Sequence, residues 1–199
     1  MEAKYNRNNI FMTVMTLVYQ LMLLNILFLV FSMPIVTIGA SSRALAGCIR
    51  DLLRGELSHE FKSFLYYFKG KFKTSTLSFL LLLLGYCIVV INLTNVQSLG
   101  YLLGMIQLPV IIQLLVSHMM LSYVVLEWDL KTLKSLKLAW ILGNRNIIKI
   151  IGATGLMYVI LKLSLNIPVI LIFFYMPITS IIQYYFCYPT ILKVKGDNS

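Results

Sequence analysis

Five apolar segments, each close to 20 residues long, alternate along the chain with shorter polar stretches. A helix of about 20 apolar residues crosses the roughly 30 Å hydrocarbon core of a bilayer. A helix also satisfies its backbone polar groups within one segment, and the alternating pattern of a membrane barrel is absent from the sequence. The pattern predicts an all-α integral membrane helical bundle with spans at residues 10–31, 76–96, 101–126, 147–165 and 169–188.

The stretch 34–53 is long enough for a further membrane helix, but it carries Arg43, Arg50 and Asp51. Basic residues precede the first span and also follow this stretch, and positive charge marks the cytoplasmic side. If both basic groups are cytoplasmic, the chain returns between them. We therefore expect six membrane helices, or five plus one embedded helix, with both termini in the cytoplasm. The alternative is five spans with the N-terminus outside. In either arrangement Arg43 should face protein or water rather than lipid.

Two basic amphipathic segments, 61–73 and 130–141, separate the spans. In each, apolar residues recur at helical spacing on one face and lysines take the other. We expect two helices that lie in the membrane interface and contact anionic lipids. The lysines concerned are Lys62, Lys69 and Lys73 in the first segment and Lys131, Lys134 and Lys137 in the second.

The two basic segments also suggest an internal repeat. The letters FKSF at 61–64 resemble LKSL at 133–136, and a pair of spans follows each. We interpret residues 1–199 as one membrane domain, with a candidate duplication of 60–127 in 131–190. Gly100 and Gly104 have the spacing of closely packed helices, which suits a contact within one hairpin or a homo-oligomer.

Composition and charge narrow the class of protein. Hydrophobic residues make up 59% of the chain and charged residues 12%, against roughly 45–50% and about 25% in soluble domains. A soluble enzyme, a disordered tail and a fibrous repeat are therefore excluded. The net charge of +10 collects in the loops around the basic segments. Because aromatic residues interleave with those lysines at helical spacing, we expect lipid rather than nucleic acid as their partner.

Four polar residues lie inside apolar segments and are candidates for an intramembrane role. They are Asn25, Arg43, Gln113 and His118. Polar side chains within a membrane form hydrogen bonds between helices, or they line a pathway in which a histidine can relay protons. Both interpretations are open from the sequence.

The sequence contains none of the common catalytic or metal-binding motifs. Its three cysteines are far apart, and no Cys/His cluster has the spacing of metal ligands. A phosphate-binding loop, the G-x-S-x-G nucleophile motif and the HExxH zinc motif are also absent. We expect no enzymatic activity, no catalytic residues, no metal and no cofactor.

Several motifs resemble the YesL-like family of bacterial membrane proteins. The resemblance rests on four motifs. They are LLNILFLVFSMPIVTIGA at 23–40, which contains Pro34 and Gly39, Arg54-Gly55-Glu56, FKSF at 61–64 and FKGKFK at 68–73. Pro34 and Gly39 break the chain after the first span, either as a tight hairpin or as a kink that lines a substrate path. Arg54-Gly55-Glu56 has the pattern of a helix C-terminus, or of a docking loop. The family pattern usually has a small or hydroxyl residue where this chain has Arg43, so the resemblance implies no role for Arg43.

The resemblance implies a plasma-membrane protein of about 200 residues, typical of Gram-positive bacteria and often encoded near carbohydrate ABC transporters. It implies no catalytic residues. We therefore expect a non-catalytic accessory or assembly factor that binds membrane subunits of such a transporter. The alternative function is a small transporter or channel with a polar intramembrane pathway through Arg43 and His118.

Overall fold

The computed structural model describes residues 7–94 and 101–196, and regular structure within these ranges is entirely helical. This confirms the all-α class. A single 3-10 turn, Ile35–Thr37, joins the first two helices. The helices are α1 (Arg7–Ser32), α2 (Ile38–Leu53), α3 (Glu60–Lys69), α4 (Phe72–Thr94), α5 (Tyr101–Glu127), α6 (Thr132–Arg145), α7 (Ile147–Asn166) and α8 (Pro168–Gly196).

Four of the described helices contain segments that are long and apolar enough to cross a membrane. The segments are Met12–Ser32, Phe72–Thr94, Gln107–Glu127 and Ile147–Asn166. They point to a membrane protein, as the apolar pattern predicts. The expected span at 169–188 falls in α8, which is described only in part, and it remains a prediction. The arrangement with six membrane helices is not confirmed.

The helix α2 is short and lies inside the bundle. Its 16 residues extend about 24 Å at 1.5 Å per residue, which is less than the hydrocarbon core. It contacts α1, α3, α4, α5 and α8. Small residues allow this close packing: a Cβ atom at Gly39 would lie 2.5 Å from the carbonyl oxygen of Ser75, and one at Gly47 would lie 2.7 Å from the ring of Tyr67. The structure therefore shows α2 as a buried helix.

The hairpin between α2 and α3 turns at Arg54-Gly55-Glu56. The amide of Gly55 donates to the carbonyl of Leu52 at 3.1 Å, and that of Glu56 donates to Asp51 at 2.8 Å. This pair of bonds is a Schellman motif, in which the residue after the cap adopts a left-handed conformation. Gly55 has φ +72°, which glycine adopts without a steric penalty. The motif directs the chain back, so α3 packs against α2.

The predicted amphipathic helix over 61–73 is wrong at its C-terminal end. The helix α3 ends at Lys69, Gly70 and Lys71 form a turn, and α4 begins at Phe72. Lys71 has φ +50°, and its ammonium group donates to the carbonyl of Trp128 at 3.0 Å. A cation is favourable beside the C-terminal carbonyls of α5. Lys73 consequently lies on α4 and not on the interfacial helix.

Two apolar cores hold the helices together. One joins α5, α6, α7 and α8 around Met120, Leu142 and Ile150, and the other joins α1, α2 and α3 around Leu24 and Phe64. Phe64 is fully buried and packs on Phe31 of α1, with ring centroids 5.6 Å apart. Part of the aromatic face of α3 therefore packs against protein, where the sequence pattern suggested contact with lipid.

Candidate functional site

Charged and phenolic side chains meet where α2, α5 and α8 end; we call this region the basic end of the bundle. Arg50 of α2 is its centre. Its guanidinium donates to Glu127 at the last residue of α5 (2.7 Å), to Asp51 (3.0 and 3.1 Å) and to the hydroxyl of Tyr67 on α3 (2.9 Å). Tyr67 in turn donates to Asp51 at 2.6 Å. One arginine thus connects three helices.

Glu127 accepts hydrogen bonds from side chains of two further helices, α2 and α8. It accepts from Tyr188 at 3.0 Å and from Lys195 at 2.7 Å, both on α8, in addition to Arg50. Its side chain is only 7% exposed. A charge so far removed from water is stable only when it is paired and hydrogen-bonded. Arg54 donates to Tyr188 at 2.7 Å and extends the set of contacts to the end of α2.

Tyr67 lies on α3, outside the candidate membrane spans, and its surroundings shift the pKa of its phenol. Burial, followed by the hydrogen bond that it donates to Asp51, raises the pKa of Tyr67 to about 12. Because the phenol stays protonated, it acts as a hydrogen-bond donor to the carboxylate and as an acceptor from Arg50. We call Arg50, Asp51, Tyr67, Glu127, Tyr188 and Lys195 the basic-end network. The network ties the ends of α2, α5 and α8 together and includes Tyr67 of α3.

The structure brings Arg43 and His118 to one small cavity. Arg43 is 3% exposed and donates to the carbonyl of Tyr67. His118 lies beside Phe79, with ring centroids 6.1 Å apart. The cavity between α2, α4 and α5 is lined by Gly39, Arg43, Ser75, Phe79, His118, Leu121, Ser122 and Val125.

The size of this cavity limits what it can do. It leaves about 10 Å³ for the centre of a water molecule, which is close to the minimum for one water. Arg43 Nε and His118 Nδ1 are both buried there without a hydrogen-bond partner. A single water can satisfy such groups. The cavity has room for about one water molecule and is too small for a larger solute.

The other two intramembrane candidates lie elsewhere. The amide of Gln113 on α5 exchanges two hydrogen bonds of 2.9 Å with that of Asn144 on α6. Asn25 is buried in α1, at 1% exposure. Neither residue lines the cavity of Arg43 and His118. The four polar residues therefore do not form one continuous lining in the described part of the chain.

A second polar feature is a groove between α4 and α5, which we call the α4–α5 groove. Its volume is about 390 Å³, and its wall is mostly apolar. Gln107 is 8% exposed, and its Oε1 atom is buried without a hydrogen-bond partner. An unpaired amide oxygen in an apolar setting is costly. The groove is lined by Gly85, Ile88, Val89, Asn92, Gln107, Val110 and Leu114.

The lysines assigned to the membrane interface lie on the surface. All six are exposed: Lys62 and Lys69 on α3, Lys73 on α4, and Lys131, Lys134 and Lys137 at and after the start of α6. Pro34 is in extended conformation between α1 and the 3-10 turn. In residues 7–94 and 101–196, no three His, Cys, Asp or Glu side chains lie close enough together to hold a metal ion.

Sequence reasoning missed the basic-end network. Glu127 directly follows the expected span at 101–126, and in the sequence Arg50 is only one charged residue within the stretch 34–53. The available signal was an acid placed directly at the end of a long apolar helix, since such a group needs a cation if it is buried. The partner, 77 residues away, depends on how the helices pack.

These features define the class as an all-helical membrane protein whose charged residues connect helix ends at one side of the bundle. A family model described as "Protein of unknown function, DUF624" matches residues 21–93. The match runs from α1 to α4 and includes Arg43, Arg50 and Tyr67. It is consistent with the resemblance described above, which rests on the same region. No curated protein and no solved structure matches the chain.

Proposed function

We propose that this protein is a non-catalytic accessory or assembly factor of the bacterial plasma membrane. It acts by binding a membrane subunit of a carbohydrate ABC transporter. The observation that carries the proposal is the buried, unpaired amide oxygen of Gln107 in the α4–α5 groove. The link to carbohydrate transport rests on the resemblance to the YesL-like family.

The chemistry of the groove favours a transmembrane helix as its occupant. Both walls belong to helices that are apolar enough to cross a membrane. Apart from Asn92, the residues that line the groove with Gln107 are apolar, and two of them remain exposed: Ile88 by 59% and Val110 by 44%. Lipid tails cannot donate a hydrogen bond to Gln107. A partner helix with a hydroxyl or amide side chain can, while its small residues fit the groove.

Site-specific photocrosslinking in native membranes tests this proposal. A photoreactive residue at Leu108, beside Gln107, is compared with one at Leu163 on α7; these two leucines are 61% and 62% exposed. We expect position 108 to capture a permease subunit, identified by mass spectrometry, and position 163 to capture little of it. Gln107→Leu should reduce co-purification of that subunit in mild detergent.

Three results would overturn the proposal. They are equal capture of the permease at both positions, capture of a second copy of this chain alone, and unchanged co-purification of the Gln107→Leu variant. The second result would assign the groove to a homo-oligomer contact.

A small transporter is a second candidate, because Arg43 and His118 share one cavity. A buried histidine that contacts a water molecule can relay protons. The purified protein in proteoliposomes should then conduct protons under an imposed membrane potential, as followed by an internal pH dye. The His118→Phe variant should lose this flux. Equal flux in the wild-type protein and the His118→Phe variant, or wild-type flux no greater than that of protein-free vesicles, would rule this candidate out.

A further inference from the structure

A polar cleft lies where the junction of α6 and α7 meets the end of α8. Its volume is about 280 Å³, which exceeds the roughly 30 Å³ that one water occupies in the liquid. Neither the basic-end network nor the α4–α5 groove includes its residues. The cleft is lined by Arg145, Asn146, Lys149, Pro189, Thr190, Lys193 and Val194.

Three cations border this cleft without a carboxylate partner among the described residues. Arg145, Lys149 and Lys193 are exposed, and none of them forms an ion pair in the described ranges. Lys195, two residues beyond Lys193, is instead paired with Glu127 at 2.7 Å. Three like charges around one cleft repel one another. An anion in the cleft would relieve this repulsion.

A buried hydroxyl provides an independent sign of a ligand. Thr190 is 8% exposed, and its hydroxyl oxygen is buried without a hydrogen-bond partner. Thr190 forms part of the wall between Pro189 and Lys193. A buried hydroxyl usually has a partner, and leaving it unpaired is costly. Since a hydroxyl can donate, an anionic oxygen suits it.

The start of α7 contributes to the same electrostatic field. Asn146, which lines the cleft, is the N-cap of α7 and forms no side-chain capping bond. The N-terminus of a 20-residue helix carries partial positive charge and favours anions. The three cations, the hydroxyl and the N-terminus of α7 therefore all favour an anionic group.

We infer that this cleft binds a phosphate group, and specifically that of an anionic phospholipid headgroup. The lipid is favoured over a soluble phosphate because apolar side chains flank the cations. Ile148 is 84% exposed and Ile151 55%, next to Lys149, while Leu192 is 44% exposed next to Lys193. An acyl chain can lie on these residues while the headgroup occupies the cleft. Basic pockets between membrane helices bind such headgroups elsewhere.

Lipid binding to the full-length protein in mild detergent tests this inference. The probes are phosphatidylglycerol, phosphatidylcholine and inorganic phosphate, and native mass spectrometry measures the bound fraction during titration. We expect saturable binding of one phosphatidylglycerol. The triple variant Arg145→Gln/Lys149→Gln/Lys193→Gln should bind it roughly tenfold or more weakly, because hydrogen bonds to charged groups are lost. Thr190→Val removes only the hydroxyl and should weaken binding several-fold.

A matched control variant distinguishes lipid binding in this cleft from nonspecific attraction of an anionic lipid to surface lysines. The variant Lys131→Gln/Lys134→Gln/Lys137→Gln loses the same number of cations from exposed positions at the N-cap and in the first turns of α6. It should weaken binding by less than about threefold, since isolated surface charges contribute little. An equal loss in both triple variants, or binding that does not saturate, would overturn the site. Saturable binding of inorganic phosphate that displaces the lipid would keep the phosphate site and overturn the lipid assignment.

Discussion

The helices α3 and α6 have similar amphipathic sequences and similar places in the chain, yet they pack in different ways. Aromatic rings hold α3: Phe68 lies 4.9 Å from Phe31, measured between ring centroids. Small residues hold α6, whose buried positions include Ser135, Ala139 and Gly143. Rings fill a wide space between helices, whereas small side chains let backbones approach closely. Equal periodicity therefore does not imply equal packing.

The polar contacts of α3 and α6 also differ, because among the described residues only those of α3 involve ionised groups. On α3, Tyr67 joins the basic-end network, which includes ionised groups and reaches α2, α5 and α8. On α6, Asn144 forms a neutral amide pair with Gln113 of α5. Hydrogen bonds to charged groups are about twice as strong as those between neutral groups. We expect α3 to contribute more to stability than α6, and four predictions test this.

The largest effect should follow Phe64→Ala in α3. Phe64 is fully buried, whereas Leu136, at the corresponding position of the second segment, is only partly buried. Removing a buried phenylalanine costs about 3–5 kcal/mol through lost packing and a cavity. Leu136→Ala in α6 should cost less than about 2 kcal/mol, because this side chain is already partly exposed. Unfolding by SDS in mixed micelles measures both. Equal losses would show that α3 is not the better-packed helix.

Tyr67→Phe should have the next largest effect, about 1.5–3 kcal/mol, because Asp51 and Arg50 lose a partner. The pKa of Tyr67 is raised to about 12, above its ordinary value of about 10. The stabilisation by the neutral phenol is therefore fully present below about pH 10 and is lost as the pH rises through about 12. The stability difference between wild type and variant should stay constant from about pH 6 to 9. Tyr66→Phe is the control, since Tyr66 is 74% exposed. A pH-dependent difference in that range would contradict the assignment.

Gly143→Ala tests the close approach of α6. A Cβ atom there would lie 2.3 Å from Val116 Cγ1 and 3.2 Å from the Val116 carbonyl oxygen, and Val116 is fully buried. Overpacking of this kind costs about 1–3 kcal/mol. Gly155→Ala is the control, because nothing lies within 4 Å of its added Cβ; it should gain up to about 1 kcal/mol of helix propensity. Thermal unfolding in detergent compares them, and a neutral Gly143→Ala would refute close packing.

Local patterns predicted the helices well where length and hydropathy decide. The spans expected at 101–126 and 147–165 correspond to Tyr101–Glu127 and Ile147–Asn166. The break between α3 and α4 was missed, since it depends on Lys71 reaching Trp128, 57 residues away. Periodicity is a local property and contains no information about that contact.

The residues of the candidate sites also divide into those that the local sequence identifies and those whose contacts depend on how the helices pack. Arg43 and His118 were identifiable singly, because each is ionisable within an apolar stretch. Their meeting at one cavity requires α2 to pack between α4 and α5, which no local pattern specifies. Arg50 and Glu127 were missed for a related reason: their contact joins residues that are 77 positions apart in the sequence. Only the tertiary structure shows that both are poorly exposed and paired.

The smallest expected effect concerns the pair Gln113–Asn144, measured by a double-mutant cycle with Gln113→Leu and Asn144→Leu. Interhelical polar pairs in membrane proteins contribute roughly 0.6 kcal/mol on average and about 1.7 at most. Two bonds of 2.9 Å should place this coupling in that range. Gln113→Leu combined with Asn166→Leu, at the exposed end of α7, should show no coupling. If Gln113 instead lines a water-filled pathway, both cycles give zero. A coupling as large as the effect of Tyr67→Phe would mean that α6 is held as strongly as α3, and the contrast between the two helices would then rest on shape alone.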